Sequence, residues 1–222
     1  MPELFDNWPD DYENWFSTPL GKLIKEFELD LILKMLKPQR GEHILDAGCG
    51  TGIFTSDIIN KGASITGLDI SRPMLKKALR KTGNSFKCVC ADMLKLPFKD
   101  CTFDKTVTIT AIEFIKDAAL ALSELERVTK PGGAIVAATL NSLSPWAEKR
   151  KKDAEKEGGI FMHAIFRSPD ELAGLLPFKC ITGTAIHFSD NAEPDKAVEI
   201  EKKGYAAGLD SGAFAAALWI KQ

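Results

Sequence analysis

What this chain of 222 residues does without removes several classes of function at once. No stretch is long and apolar enough to span a bilayer. Met1 to Asp10 is acidic and carries no apolar run of the kind that directs secretion. A surplus of one charge is also missing. The 29 Lys and Arg face 31 Asp and Glu, and a formal charge of −2 gives no electrostatic ground for a nucleic-acid partner. The five cysteines are an odd set without zinc-ligand spacing, and Cys88 and Cys90 share one expected strand, so reduced thiols and no metal site are expected. Internal repeats and low-complexity segments are absent. With 45% apolar and 27% charged residues, a soluble cytoplasmic protein is expected, and residues 1–222 read as one domain with a full core.

Two familiar glycine patterns are missing as well. The densest glycine cluster lies in His43-Ile44-Leu45-Asp46-Ala47-Gly48-Cys49-Gly50-Thr51-Gly52, which reads as a buried strand ending in an acid, then a turn, then a helix from Ile53 to Lys61. Gly-x-Gly-x-Gly is not the Gly-x-Gly-x-x-Gly of a pyrophosphate-binding turn, and no Lys-Ser/Thr pair follows, which excludes a P-loop. Glycines this close let the backbone turn sharply and leave no Cβ in the way of a ligand. A second acid, Asp69, ends the next apolar strand (Ile65 to Asp69), at an expected exposed strand end where its carboxylate can hold a ribose diol. The pattern is that of a nucleoside site with no phosphate to neutralise.

The rest of the chain supplies a frame for that site. Thr18-Pro19 is a helix start, and Leu20, Leu23, Ile24, Phe27, Leu31 and Met35 follow a helical period up to Pro38. Apolar strands are expected at 43–47, 64–69, 85–91, 103–109 and 134–140, with helices between them starting at Ser71-Arg72-Pro73 and spanning Asp117 to Thr129. Such alternation implies parallel βαβ units with right-handed crossovers. Later, 179–188 reads as a strand, 194–207 as a helix and 213–221 as a strand. The longest insertion is Asn141 to Arg167, whose Lys149-Arg150-Lys151-Lys152 run, followed by Asp153, Glu155 and Glu157, reads as a solvated helix with internal ion pairs.

Asp46-Ala-Gly-Cys-Gly-Thr-Gly followed by Gly67-Leu68-Asp69 resembles the first two motifs of class I S-adenosylmethionine (SAM)-dependent methyltransferases. The resemblance continues in order through Ala91-Asp92-Met93, Phe103-Asp104 and Arg127-Val128-Thr129-Lys130-Pro131-Gly132-Gly133, over about two-thirds of the chain. It implies a Rossmann-like, seven-stranded, mostly parallel α/β sheet of order 3-2-1-4-5-7-6, with strand seven antiparallel and helices on both faces. The type it is most similar to acts in ubiquinone and menaquinone biosynthesis, which implies SAM as cofactor, S-adenosylhomocysteine as product, and an acceptor that is a small, partly apolar molecule.

In open α/β sheets ligands bind beyond the C-terminal strand ends, so the motif residues should converge on one crevice. The resemblance implies that Gly48 and Gly50 face the methionine moiety through their backbone, within a loop that also includes Cys49 and Gly52. Asp69 would take the ribose hydroxyls and Asp92 the adenine amino group, with Ile70 and Met93 on the ring faces. Asp46 would order the loop or meet the methionine ammonium, and Thr110 would border the crevice after strand four. Strand-end Asp and Gly also occur as plain turn residues, and Ser71 would then serve only as a helix cap.

Methyl transfer from a sulfonium mainly requires alignment of the acceptor, with a base needed only when the acceptor's pKa is high. The candidate bases are Glu113, which also fits as a SAM contact or a helix-start carboxylate, and His163, inside the apolar stretch Ile160 to Arg167. His187 is a weaker candidate, and His43 reads as a strand-entry residue. Thr110-Ala111-Ile112-Glu113-Phe114 lacks the Asn/Asp-Pro-Pro-aromatic tetrad of enzymes that methylate nucleic-acid bases. The aromatic, acidic N-terminal segment, with Phe5, Trp8, Tyr12, Trp15 and Phe16, reads as a lid in which Tyr12 reaches the SAM carboxylate while Trp15 and Phe16 shield the sulfonium, or as packing for the first helix. Trp146 reads as a pocket residue. Two other classes share parts of this pattern: a SAM- or nucleoside-binding protein without transferase activity, and an NAD-dependent oxidoreductase, which would need the missing pyrophosphate turn.

Overall fold

The computed structural model describes residues 3–6, 8–82 and 86–222. Two short N-terminal helices, α1 (Glu3–Asp6) and α2 (Pro9–Ser17), lead into α3 (Pro19–Leu36). The hydroxyl of Thr18 caps α3 by accepting from the Gly21 amide at 3.0 Å, and Pro19 occupies the first turn, where its missing N–H costs nothing. A Cβ on Gly21 would lie 2.1 Å from the Trp15 carbonyl, so glycine there lets α2 fold back tightly on α3. The helix stops at Lys37 in the left-handed conformation, just before Pro38.

Five parallel strands follow: β1 (His43–Ala47), β2 (Ser64–Asp69), β3 (Phe86–Cys90), β4 (Lys105–Ile109) and β5 (Ala134–Leu140). Helices α4 (Thr55–Ile59), α5 (Arg72–Thr82) and α6 (Ala118–Val128) make the crossovers from β1, from β2 and from β4. Beyond β5 come α7 (Pro145–Glu157), α8 (Pro169–Ala173), β6 (Cys180–Ala185), α9 (Pro194–Ala206) and β7 (Phe214–Ile220). The sheet order is β3-β2-β1-β4-β5-β7-β6, with β7 antiparallel to both neighbours. This is the expected α/β architecture. No helix among the described residues is long and apolar enough to cross a membrane.

Alternation along the strands separates two cores. Ile44, Val136 and Ala138 pack with α3, α4 and α5, whereas Leu45, Ile135 and Ala137 face α6 and α8. Successive strand side chains point to opposite faces, so each strand feeds both layers. Several boundaries differ from expectation. The helix after the glycine turn is only Thr55–Ile59, because Gly50 and Gly52 hold positive φ and the chain is still turning at 53. Phe103 makes an isolated bridge to Thr129, and β4 begins at Lys105. β6 ends at Ala185, because Ile186 turns with φ 67° and its carbonyl accepts from Ala213. The expected first residue of strand three, 85, lies outside the described residues.

His43 enters β1, and its ring Nε2 is 2.9 Å from the Thr66 hydroxyl. His187 instead ties β6 to α9, with Nδ1 3.0 Å from a Glu201 carboxyl oxygen. That hydrogen bond raises the His187 pKa above its ordinary 6.5, against the opposing effect of burial. The pair's contribution to stability is therefore full between the ordinary carboxylate range and pH 6.5; it fades as pH rises through the elevated His187 pKa or falls through the lowered Glu201 pKa. Glu201→Gln is expected to cost about 1.5–3 kcal/mol at pH 6 and less at pH 9. Denaturant titrations at the two pH values measure the difference.

Candidate active site

One cavity of about 650 Å³ runs across the C-terminal ends of the parallel strands. Register explains why the motif residues meet there. Asp46 of β1 pairs with Gly67 of β2, and Asp69 with Cys90 of β3, so the three loops leave the sheet side by side. The Gly48 and Cys49 amides both donate to the Leu68 carbonyl, at 2.6 and 3.0 Å. Gly67 must lack a side chain, since a Cβ would sit 2.2 Å from the Phe86 ring and 2.8 Å from the Cys49 sulfur.

Asp69 anchors this half of the cavity. One carboxylate oxygen accepts from the Gly50 amide and the other from the Ser71 amide, both at 2.8 Å. Each oxygen keeps a lone pair for a further donor such as a hydroxyl. Contrary to the sequence expectation Asp69 is half-buried, and desolvation raises its pKa despite those two bonds. Gly50 has φ 54°, and a Cβ there would meet no protein atom within 4 Å, so its missing side chain leaves room that belongs to the cavity. At Gly48 the constraint is protein packing, because a Cβ would approach that of Ala111 to 2.4 Å. Asp46 is buried and accepts from the Thr55 hydroxyl at 2.6 Å, which ties β1 to α4; desolvation pushes its pKa to about 6. Asp92 is exposed at the rim and accepts from the Leu94 amide at 2.9 Å.

Aromatic side chains roof the cavity. Phe5 meets Phe114 edge-on at 4.9 Å between centroids, and Trp8 meets Phe161 at 6.4 Å, so α1 and the residue that leads into α2 touch the segments after β4 and α7. Asp6 accepts from the Ser71 hydroxyl at 2.7 Å, while Lys77 and Lys81 of α5 pair with Asp10 and Glu13. The N-terminal helices are thereby fastened over the β2 end. Phe16 has a second role: it is buried against Phe54 in the core beneath.

The half of the cavity beyond β4 holds buried charge. Glu28 of α3 and Glu113, in the 3-10 turn Ile112–Phe114, are 4% and 0% exposed. Burial pushes their carboxyl groups up to about 8 and about 7 respectively. Arg150 of α7 acts on both, and desolvation lowers its own pKa. One oxygen of each glutamate and Nη1 of Arg150 are buried with no hydrogen-bond partner among the described residues. The other Glu113 oxygen accepts from the Thr139 hydroxyl at 3.4 Å. The Tyr12 phenol lies beside Thr110, its pKa raised first by burial and then by nearby carboxylates. Thr110 itself carries φ 47°, a strained value for a β-branched residue.

The cavity therefore brings together Tyr12, Trp15, Asp46, Gly48, Cys49, Gly50, Asp69, Ile70, Asp92, Met93, Thr110 and Glu113. Gly52 does not border it and packs against Ala78 of α5. His163, at the end of the 3-10 turn Ile160–His163, is exposed and also lies outside the lining. Trp146 stands behind the site, donating to the Phe188 carbonyl at 2.6 Å with the Arg150 guanidinium 5.1 Å from its ring centroid. Arg150 corrects the expectation of a wholly solvated helix. It turns inward while Lys149 pairs with Asp190 and Lys152 with Glu148 on the outer side. Glu28 and Arg150 carried a readable signal: Glu28 falls four residues after buried Ile24 and three before Leu31, and Arg150 falls between buried Ala147 and Ala154.

Comparison with known proteins places this geometry in context. A methyltransferase-domain family model matches residues 45–137. An uncharacterized protein of Methanocaldococcus jannaschii is 30% identical over 208 residues, covering 92% of this chain and 94% of its own. A malonyl-[acyl-carrier protein] O-methyltransferase of Pseudescherichia vulneris is 39% identical over 115 residues, 52% of this chain, and the match spans only 45% of that relative's length. Among solved structures, a SAM-dependent methyltransferase of Thermotoga maritima, described as a possible histamine N-methyltransferase, has a TM-score of 0.74 at 24% identity, with both chains fully covered.

Proposed function

Since the chain belongs to the class I SAM-dependent methyltransferases, we propose that it transfers a methyl group from SAM to a small, partly apolar acceptor held in the cavity across the strand ends. The observation that carries this reading is one continuous cavity with two unlike halves, a carboxylate and glycine loop at β1 to β3 and an aromatic-roofed chamber at β4 and β5. The family implies SAM, and the residues present fit it. Asp69 has lone pairs for a diol, Gly50 leaves open room, and Ile70 and Met93 supply apolar walls. When bound, SAM supplies a methyl group already activated on a sulfonium.

The protein's part is to bind and orient. Asp69 would hold the ribose hydroxyls and Asp92 the adenine amino group, with Ile70 and Met93 against the ring. The backbone of Gly48, Cys49 and Gly50 would follow the methionine moiety, and Asp46 would stand near its ammonium. Tyr12, Trp15 and Thr110 would close the junction with the acceptor chamber and exclude water. Residues 1–37 would act partly as a lid and 141–167 as the acceptor-side wall of a single domain. Five carboxylates line the cavity against two cations, which supports a small-molecule acceptor over a nucleic acid.

Calorimetric titration with SAM, S-adenosylhomocysteine and NAD tests the cofactor. SAM and the product should both bind, the product comparably or more tightly, and NAD should give no heat. Binding of NAD with no heat from either sulfur compound would overturn the proposal. Gly50→Val is expected to reduce SAM affinity more than 100-fold, since the branched side chain takes cofactor space, while its positive φ costs about 1–2 kcal/mol of stability. Calorimetry and thermal melts on one preparation separate the two effects.

A further inference from the structure

Resting on the methyl-transfer reading above, we propose that the acceptor is a primary or secondary amine on a compact apolar body, received by the paired carboxyl groups of Glu28 and Glu113. Both side chains are buried, both line the chamber beyond β4, and each keeps one oxygen without a partner among the described residues. Burying a carboxyl group with an unsatisfied oxygen costs stability, so two in one chamber mark a place for donors that arrive with a ligand. An amine brings two or three N–H donors, enough to satisfy both oxygens.

The charge balance selects an amine over other acceptors. Arg150 acts on both glutamates and Arg167 on Glu113 alone, but the Arg150 guanidinium is engaged by the Trp146 and Phe161 rings at 5.1 and 5.4 Å, and that of Arg167 donates to the Ile112 and Ile165 carbonyls. An anionic acceptor would enter a cavity lined by five carboxyl groups against Lys116 and Arg150, and would oppose ionisation of the buried ones. A neutral alcohol would need a far stronger base than a carboxylate. Trp8 adds an aromatic face to the lining, which favours a cation.

Of the two glutamates, Glu113 is placed for the proton. It stands two residues beyond Ala111, which abuts Gly48 of the glycine loop, whereas Glu28 approaches from α3. Burial has made Glu113 a stronger base than an ordinary carboxylate, and a better match to an ammonium. The entering ammonium gives one proton to Glu113. Its freed lone pair forms the N–C bond as the C–S bond breaks, with that electron pair remaining on sulfur. The positive charge passes from sulfonium to methylated nitrogen, and Glu113 returns its proton to solvent.

The test uses the full chain saturated with S-adenosylhomocysteine, titrated with butylamine, cyclohexylamine, benzylamine and 2-phenylethylamine, each beside its matching alcohol and carboxylate. At least one amine should bind about 10-fold more tightly than both counterparts. Glu28→Gln and Glu113→Gln should each remove about 10-fold of that affinity while leaving S-adenosylhomocysteine binding within about twofold. In the ligand-free protein, melted at pH 9 where both carboxyl groups are ionised, the same variants should keep or raise Tm, by about 2–4 °C, because a buried charge is removed. A preference for alcohols or carboxylates, no amine binding across the series, or Gln variants that melt lower and still bind amines would overturn the proposal. Failure of S-adenosylhomocysteine itself to bind would instead count against the methyl-transfer reading.

Discussion

Asp69→Ala is expected to weaken SAM binding by roughly 1.5–3 kcal/mol, about 10- to 150-fold, the scale of hydrogen bonds to a charged group. The structure adds a second reason for a large effect. The carboxylate accepts from the Gly50 and Ser71 amides, so removing it frees the glycine turn and the start of α5 together. Ser71 also donates to Asp6, and the loosening should spread to α1. Asp69→Asn keeps one acceptor oxygen and should lose less. Calorimetry on both variants, with melting temperatures as the control for folding, measures this. An alanine variant that folds and binds SAM like the parent would remove Asp69 from the site.

The second large effect concerns the N-terminal helices. Deleting residues 1–17 should abolish turnover, but it also removes Phe16, which is 7% exposed and packs on Phe54. The deletion alone therefore mixes lid loss with core loss, the latter about 3–5 kcal/mol for a buried aromatic. Joint replacement of Phe5 and Trp8 by alanine separates them, because both rings roof the cavity and contact Phe114 and Phe161. That variant should melt within a few degrees of the parent, bind SAM about 10-fold more weakly and lose most turnover. Unchanged SAM affinity and turnover in a well-folded protein would rule out a lid.

What the sequence determined by itself is local. Strand-end acids and the 48-50-52 glycines were readable because period-two apolar runs mark strands, and a tight turn can be made by few residue types. Parallel crossovers follow from alternation, so convergence of Asp46, Asp69 and Asp92 is legible in the sequence. The antiparallel place of β7 came from family resemblance, since pairing order is a long-range property that composition does not encode.

Only the tertiary structure decided the acceptor half. Glu28 and Arg150 lie far apart in sequence, and the charge run that contains Arg150 reads as a solvated face. Spacing to apolar neighbours marks each as facing inward on its own helix, but their meeting in one chamber depends on how α3 and α7 are placed against the sheet end, which one helix seen alone does not contain. His163 went the other way, exposed although its neighbours Ile160 and Phe161 line the cavity, because a short 3-10 turn splits adjacent side chains between solvent and interior. Backbone chemistry is written residue by residue, whereas a buried charge cluster exists only where packed elements exclude water around it.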